Sequence, residues 1–250
     1  MRRYKKSYRT RKKRSVFAIF KKKFFWLGLL FLIILSGLTY LFIFSSVFQI
    51  KNIAVLGTEK TSAEEIRTII SNNAKNIFLA DLEEIDRMLL EKYPQIADID
   101  IKRDLPDVLL VQIEERKPVA VISKYEGYFF IDKEAVIFEE IPEKPLEMLI
   151  IKSEKDLIQK EQLNQVLKIN SALKNDLKLF IKEILIVSEK RIDVETMEGW
   201  NIYFNSKKDL DWQLEQFSIL LKEKISLENR KNLEYVDLRF EKIYIYPENY

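Results

Sequence analysis

Ser171-Ala172-Leu173-Lys174 has the S-x-x-K spacing of acyl-transferring serine enzymes. A serine nucleophile also needs a positioned base and oxyanion donors, and the S-D-N and K-T-G partners of that chemistry are absent from the chain. The four residues fall near the end of an amphipathic pattern in which Leu173 is a core position and Lys174 a solvated one, so a structural role is expected. Paired acids recur at Glu64-Glu65, Glu83-Glu84, Glu114-Glu115 and Glu139-Glu140. Glycoside cleavage needs two carboxyls facing each other across roughly 5–10 Å; neighbours on one helix or strand point apart, so these pairs read as solvated faces. Gly28, Gly37, Gly57, Gly127 and Gly199 lie too far apart to cradle a phosphate. The chain has no histidine, the commonest metal ligand and neutral-pH base, and no cysteine, hence no disulfide framework. No catalytic residue, no metal site and no cofactor site is expected, and the chain is read as not an enzyme.

Any function then rests on surfaces, and the elements that position them start from an apolar stretch. Phe24 to Ile50 carries no charge. A helix crosses a hydrocarbon core of about 30 Å in about 20 residues, so this stretch reads as one transmembrane helix, assigned to 24–47. Ser45-Ser46-Val47-Phe48 is a poor small-x-small cleavage site, so the helix is expected to be retained rather than removed as a signal. Residues 1–23 hold twelve basic residues and no acid; the remaining chain has 30 basic against 39 acidic residues, a net −9. That asymmetry predicts a cytoplasmic N-terminus and an exported remainder. The basic tail (1–23) serves topology and anionic lipid rather than nucleic acid. Lipid contact is expected through Phe24–Val47 and the tail.

The exported part begins with a strand-like run, Phe48 to Val55, ended by Gly57. Ser62 with Glu65 fits a helix cap, and Ile66, Ile69 and Ile70 form a stripe. Asp81 and Glu84 cap a second helix bearing Leu82, Ile85 and Leu89. Ile99 and Ile101 alternate with charges. Asp104-Leu105-Pro106-Asp107 is a turn, and Val108 to Glu115 a strand with Leu109, Val111 and Ile113 on one face. The order is β-α-α-β-β within 48–117. From 118 to 250 short strands are expected at Val119–Ile122, Tyr128–Ile131, Ala135–Phe138, Leu149–Ile151, Ile181–Val187, Ile192–Thr196, Trp200–Phe204, Leu233–Arg239 and Ile243–Tyr246. Helices are expected at about 161–175 and after Ser206 and Asp209. Glu198-Gly199 reads as a hairpin turn.

These residues carry a resemblance. Gly57, IFLADLEEI (77–85), and Arg103-Asp104-Leu105-Pro106 followed by a strand and Glu115-Arg116-Lys117-Pro118-Val119-Ala120 resemble the POTRA domain of FtsQ/DivIB division proteins. Glu198-Gly199-Trp200, Tyr203-Phe204, Asp209-Leu210, Gln213-Leu214 and Tyr235-Val236-Asp237-Leu238-Arg239-Phe240 are similar to that family's C-terminal half. The resemblance covers about residues 20–247. The chain ends at Tyr250, so a longer family tail is expected to be missing. The implied fold class is α+β: one N-terminal transmembrane helix, a POTRA domain, then a mixed, mainly antiparallel β domain with flanking helices.

A last strand often lies at a sheet edge, where it can accept a partner strand. Lys242 to Tyr246 alternates apolar and aromatic residues, so both faces are useful. The resemblance implies that FtsB/FtsL-like single-span coiled-coil proteins dock there, with Arg239, Phe240, Lys242, Tyr244 and Tyr246 as partner-binding residues. In the POTRA part either Ile53–Val55 or Val108–Glu115 offers an edge. The implied function is a non-catalytic scaffold in the inner membrane at the division septum, linked to septal peptidoglycan synthesis and to other division components. The rival readings are a POTRA-bearing export or envelope-assembly factor and a membrane-anchored wall enzyme.

Overall fold

The computed structural model describes residues 23–124, 127–145, 147–155, 157–225 and 229–247. The basic tail therefore lies outside the described residues, except Lys23. Two compact units share the chain: residues 1–89 with 99–113, and 90–98 with 114–250.

The first unit opens with α1 (Lys23–Phe44), apolar on every side and without a buried residue. A helix apolar all round has no polar face to give to water. Among the described residues it is the one helix long and apolar enough to cross a membrane. It ends at Phe44, and the Ser45 side chain accepts the Val47 N–H to start a single 3-10 turn, Ser46–Phe48. β1 (Asn52–Leu56) follows. It begins later than the alternation suggests, because residues 48–50 bond elsewhere: Phe48 O accepts from Ile77 N and Ile50 N donates to Lys75 O, both at 2.9 Å.

Ser62 caps α2 (Ala63–Asn73) by accepting Glu65 N, and Asp81 accepts Glu84 N at 3.1 Å ahead of α3 (Leu82–Lys92). Each helix carries acids in its first turn, where the dipole favours them. β2 (Ile96–Asp104) and β3 (Val108–Glu115) complete a three-stranded sheet in the order β1-β3-β2. β1 and β3 run parallel, with Asn52 opposite Val108 and Leu56 opposite Gln112. Ile66, Ile70, Ile85 and Leu89 of the helices are buried, as are Leu109, Val111 and Ile113 of β3. Both sequence stripes thus meet in one two-layer core.

The sheet order corrects one expectation. Val108–Glu115 cannot offer a free edge, because β3 is paired on both sides. The edges are β1 and β2.

Among the described residues the second unit holds one nine-stranded sheet. Its strands are β4 (Pro118–Lys124), β5 (Gly127–Asp132), β6 (Ile137–Ile141), β7 (Ile150–Ser153), β8 (Ile181–Ser188), β9 (Arg191–Thr196), β10 (Asn201–Phe204), β11 (Tyr235–Asp237) and β12 (Tyr244–Tyr246). The order is β12-β11-β10-β9-β8-β7-β4-β5-β6. Five neighbouring pairs are antiparallel and three parallel, so the sheet is mixed and mainly antiparallel. The fold class is α+β, as expected.

The helices α4 (Lys160–Ser171) and α5 (Leu210–Glu223) share a core with the sheet. Leu163, Val166, Ile169, Leu214 and Phe217 join Ile192, Val194, Trp200, Ile202 and Phe204 there. Gly199 takes φ +95° in the β9–β10 turn, the left-handed region that glycine tolerates best. Asp209 caps α5 by accepting from Asp211 N and Trp212 N; Ser206, expected to share that role, instead donates its hydroxyl to Glu189 O. Gln213 is fully buried, and its amide clamps the strand-to-helix connection, accepting from Asn205 N (2.8 Å) and donating to Asn205 O (2.9 Å). Ala135, expected to begin a strand, sits in the β5–β6 turn at φ 64°. Asp132 is buried there and accepts Glu134 N, Val136 N and the Arg116 guanidinium (2.6 Å).

Candidate functional site

The last strand of the nine-stranded sheet lies at one end of it. Among the described residues β12 pairs with β11 alone, Tyr235 opposite Tyr246, Val236 opposite Ile245 and Asp237 opposite Tyr244. Strand alternation sorts its two faces. Ile243 and Ile245 pack onto the core, so only one face of β12 is open, not both. Tyr244 and Tyr246 point the other way and are exposed.

That open face is a ladder built by register. β10 and β11 are parallel, with Asn201 opposite Tyr235 and Tyr203 opposite Asp237. β9 sets Asp193 opposite Tyr203. Two rows result. One runs Asp193, Tyr203, Asp237, Tyr244; the other runs Glu195, Asn201, Tyr235, Tyr246. Tyr235 stacks on Tyr246 with centroids 5.6 Å apart and planes at 11°, and lies 5.3 Å from Tyr203.

Two arginines lie over Tyr203, Arg191 at 4.9 Å and Arg239 at 5.3 Å from its ring centre. A delocalised cation over a phenol face is an attractive arrangement. Each arginine is held by its own carboxylate. Arg191 forks onto Asp193 (2.8 and 2.7 Å), and Arg239 onto Asp237 (2.9 and 2.6 Å). Bidentate geometry of this kind is both strong and directional. Both guanidinium pKa values rise, first because of the hydrogen bond to the carboxylate. Burial pushes the Tyr203 phenol up, and the Asp193 charge adds to it.

Of the expected residues, Arg239 follows β11 and folds back over the ladder, while Phe240 is exposed and sits at right angles to Tyr244 (5.9 Å). Lys242 Nζ lies 5.8 Å from the Tyr244 ring centre. Arg239, Phe240, Lys242, Tyr244 and Tyr246 are thus drawn together. The structure adds Tyr203, Tyr235, Arg191 and Asp193; the linear reading has Tyr203 and Tyr235 in the family motifs and Arg191 and Asp193 on a strand, with no binding role for any of them. Their spacing along the chain carries no signal, because parallel pairing of β10 and β11 joins residues more than thirty positions apart.

The chemistry weighed at the outset finds other surroundings. Ser171 is exposed and its hydroxyl accepts from the Asn175 amide at 3.0 Å. Lys174 lines an open hollow of about 620 Å³ together with Phe180 and Met197. Glu64, Glu65, Glu83, Glu84, Glu114, Glu139 and Glu140 are all exposed. No group of three or more acids able to hold a metal occurs among the described residues.

The family profiles divide the chain at the same place as the elements. "POTRA domain, FtsQ-type" matches residues 48–116, and "Cell division protein FtsQ/DivIB, C-terminal" matches residues 120–239. Cell division protein FtsQ of Streptomyces bingchenggensis is 30% identical over 122 residues, covering 48% of this chain and 46% of that one. FtsQ of Streptomyces griseus is 26% identical, covering 40% of this chain and 49% of its own. DivIB of Clostridium acetobutylicum is 31% identical, covering 37% of each. The chain spans about half the length, or less, of the curated relatives it matches. The solved extracytoplasmic domain of DivIB from Geobacillus stearothermophilus overlays 45% of this chain and 99% of that one, at 13% identity and a TM-score of 0.28, an overlay too loose to carry an argument. From the apolar helix, the two matched profiles and the order of strands and helices that they cover, the chain belongs to the FtsQ/DivIB family of cell division proteins, and its apolar helix fits a single-pass membrane protein.

Proposed function

We propose that this protein is a non-catalytic scaffold of the division septum that holds FtsB/FtsL-like single-span coiled-coil partners on the β12 edge. The division role itself comes from the family. The observation that carries the docking reading is the terminal position of β12, with exposed Tyr244 and Tyr246 beside the Arg239–Tyr203 stack. A partner strand added there gains main-chain bonds from the edge and side-chain selection from the tyrosines. Arg and Tyr are also the side chains that most often concentrate binding energy at interfaces. The domain limits 24–47, 48–117 and 118–250, the cytoplasmic N-terminus and the link to septal wall synthesis belong to the same proposal. So does lipid contact through Phe24–Val47 and the basic tail.

Affinity capture from a bacterial envelope extract tests it. The wild-type chain should retain a small single-span coiled-coil protein. Phe240→Ala and Tyr244→Lys should each lower retention at least about tenfold, the effect of losing one anchor worth about 1.4 kcal/mol, while the circular dichroism spectrum stays unchanged. Wild-type retention by both variants would remove β12 as the docking edge.

A further inference from the structure

The helix-bearing end of the first unit has an apolar rim that the core does not use. Three pieces of chain meet there. Asn76 is buried in the α2–α3 connection, and its amide donates to Phe42 O (3.0 Å) and Ile43 O (3.1 Å) in the last turn of α1. Its carbonyl accepts Phe78 N (2.9 Å) and Leu79 N (3.3 Å). One side chain therefore ties the free carbonyls at the helix end to residues 76–79. Phe42, Phe48 and Phe78 form a ring cluster, with centroids 5.1 to 5.3 Å apart. The β2–β3 turn completes the end. Arg103 donates to Ile77 O (2.7 Å) and Ala80 O (2.8 Å), and Lys51 pairs with Asp107 at 2.8 Å.

Three apolar side chains face out there, beside the Lys51–Asp107 pair. Phe78 is 41% exposed, Leu79 62% and Leu105 56%. Their depth follows from α1. At ~1.5 Å per residue its 22 residues measure ~33 Å, close to the ~30 Å hydrocarbon thickness. Phe42 lies two residues inside the helix end, and Phe78 packs on its ring. If α1 spans the bilayer, that contact holds Phe78 at the boundary between acyl chains and headgroups. Amphipathic and apolar groups at that level are stabilised by partial burial in lipid.

We propose that this end of the POTRA unit is seated in the bilayer interface, with Phe78, Leu79 and Leu105 in direct contact with phospholipid. The inference rests on the reading that Lys23–Phe44 spans the membrane. It makes the connection between helix and POTRA unit a fixed mount with a lipid-facing foot, in addition to the spanning helix. The bilayer is the occupant because exposed Phe78 packs on the exposed Phe42 ring of α1 and so extends that helix's apolar surface.

The chain has no cysteine, so single nitroxide labels are straightforward. Leu35→Cys, Leu79→Cys, Leu105→Cys and Glu59→Cys variants of the full chain are labelled and reconstituted in phosphatidylcholine vesicles. Collision with oxygen, which partitions into lipid, is compared with collision with a water-soluble nickel chelate. The expected result is an oxygen-to-nickel ratio several-fold higher at Leu79 and Leu105 than at Glu59, which follows the far end of β1, with Leu35 highest. A lipid ratio at Leu35 with aqueous ratios at Leu79 and Leu105 overturns the seat and leaves the spanning helix standing. Protection of Leu79 and Leu105 from both reagents assigns the rim to a second protein copy and also overturns the proposal. An aqueous ratio at Leu35 removes the spanning helix and the seat together.

Discussion

Asp237 is a carboxylate held 5% exposed in a three-residue strand, and its environment explains how the charge is tolerated there. Arg239 forks onto both oxygens, and the Arg239 N–H adds a third bond at 3.0 Å. A buried charge stripped of its partner is far costlier than the pair is favourable. Arg239→Gln should therefore cost about 1–3 kcal/mol in urea unfolding, through Asp237 rather than through lost surface charge. Arg239→Gln at wild-type stability would mean that Asp237 is satisfied without the guanidinium. Tyr203 gives a pH signature. Burial raises its phenol pKa above the ordinary 10.0. The folded protein holds that proton more tightly than the unfolded chain, so the associated stability is complete below about pH 10 and is lost as pH climbs through the folded value. Tyr203→Phe should flatten the alkaline fall of the melting temperature and remove a component of the tyrosinate absorbance that titrates above the ordinary phenol value.

At the scale of elements, two turn glycines that look alike in the sequence behave differently. Both have positive φ, Gly57 at +85° and Gly199 at +95°. A Cβ on Gly57 would lie 2.1 Å from the Ile113 carbonyl oxygen, a backbone atom that cannot swing aside, whereas a Cβ on Gly199 meets nothing within 4 Å. Gly199→Ala should cost about 1–2 kcal/mol, the strain of the left-handed region alone. Gly57→Ala should cost about 4 kcal/mol, in the range reserved for broken backbone positions, and should selectively raise hydrogen exchange in β1 and β3. Equal losses in the two variants would show that the close approach at Ile113 is relieved cheaply. The capping residues tell a similar story. Ser62, Asp81 and Asp209 were legible as helix starts because a cap is a local bond within four residues. Ser206 misled because its hydroxyl found a carbonyl seventeen residues away.

For the whole molecule, charge is distributed by segment. Residues 1–23 hold twelve basic residues, and the rest carries a net −9. If that asymmetry sets the orientation, neutralising the basic residues of 1–23 should produce a mixed population in the membrane. Protease added outside spheroplasts would then digest only a fraction of the 51–250 segment instead of all of it. Complete digestion as in the wild type would assign the orientation to the folded remainder.

What the sequence by itself determined is what local physics controls. Charge-free length marked the apolar helix, periods of two and near four marked the strands and helices, and caps and glycines marked their ends. The family motifs are legible as residue strings, but what their residues do is tertiary: Arg103 donates to Ile77 O, Arg116 pairs with Asp132, and Gly57 lies against Ile113 O. Only the tertiary structure decided which strands are edges. β3 proved central and β12 terminal, because pairing partners are chosen across long stretches of chain by burial of whole faces rather than by any residue's own preference. The same holds for the candidate surface. Tyr203 and Tyr235 became neighbours through a parallel pairing that no spacing encodes, and Asn76 became the cap of a helix more than thirty residues before it.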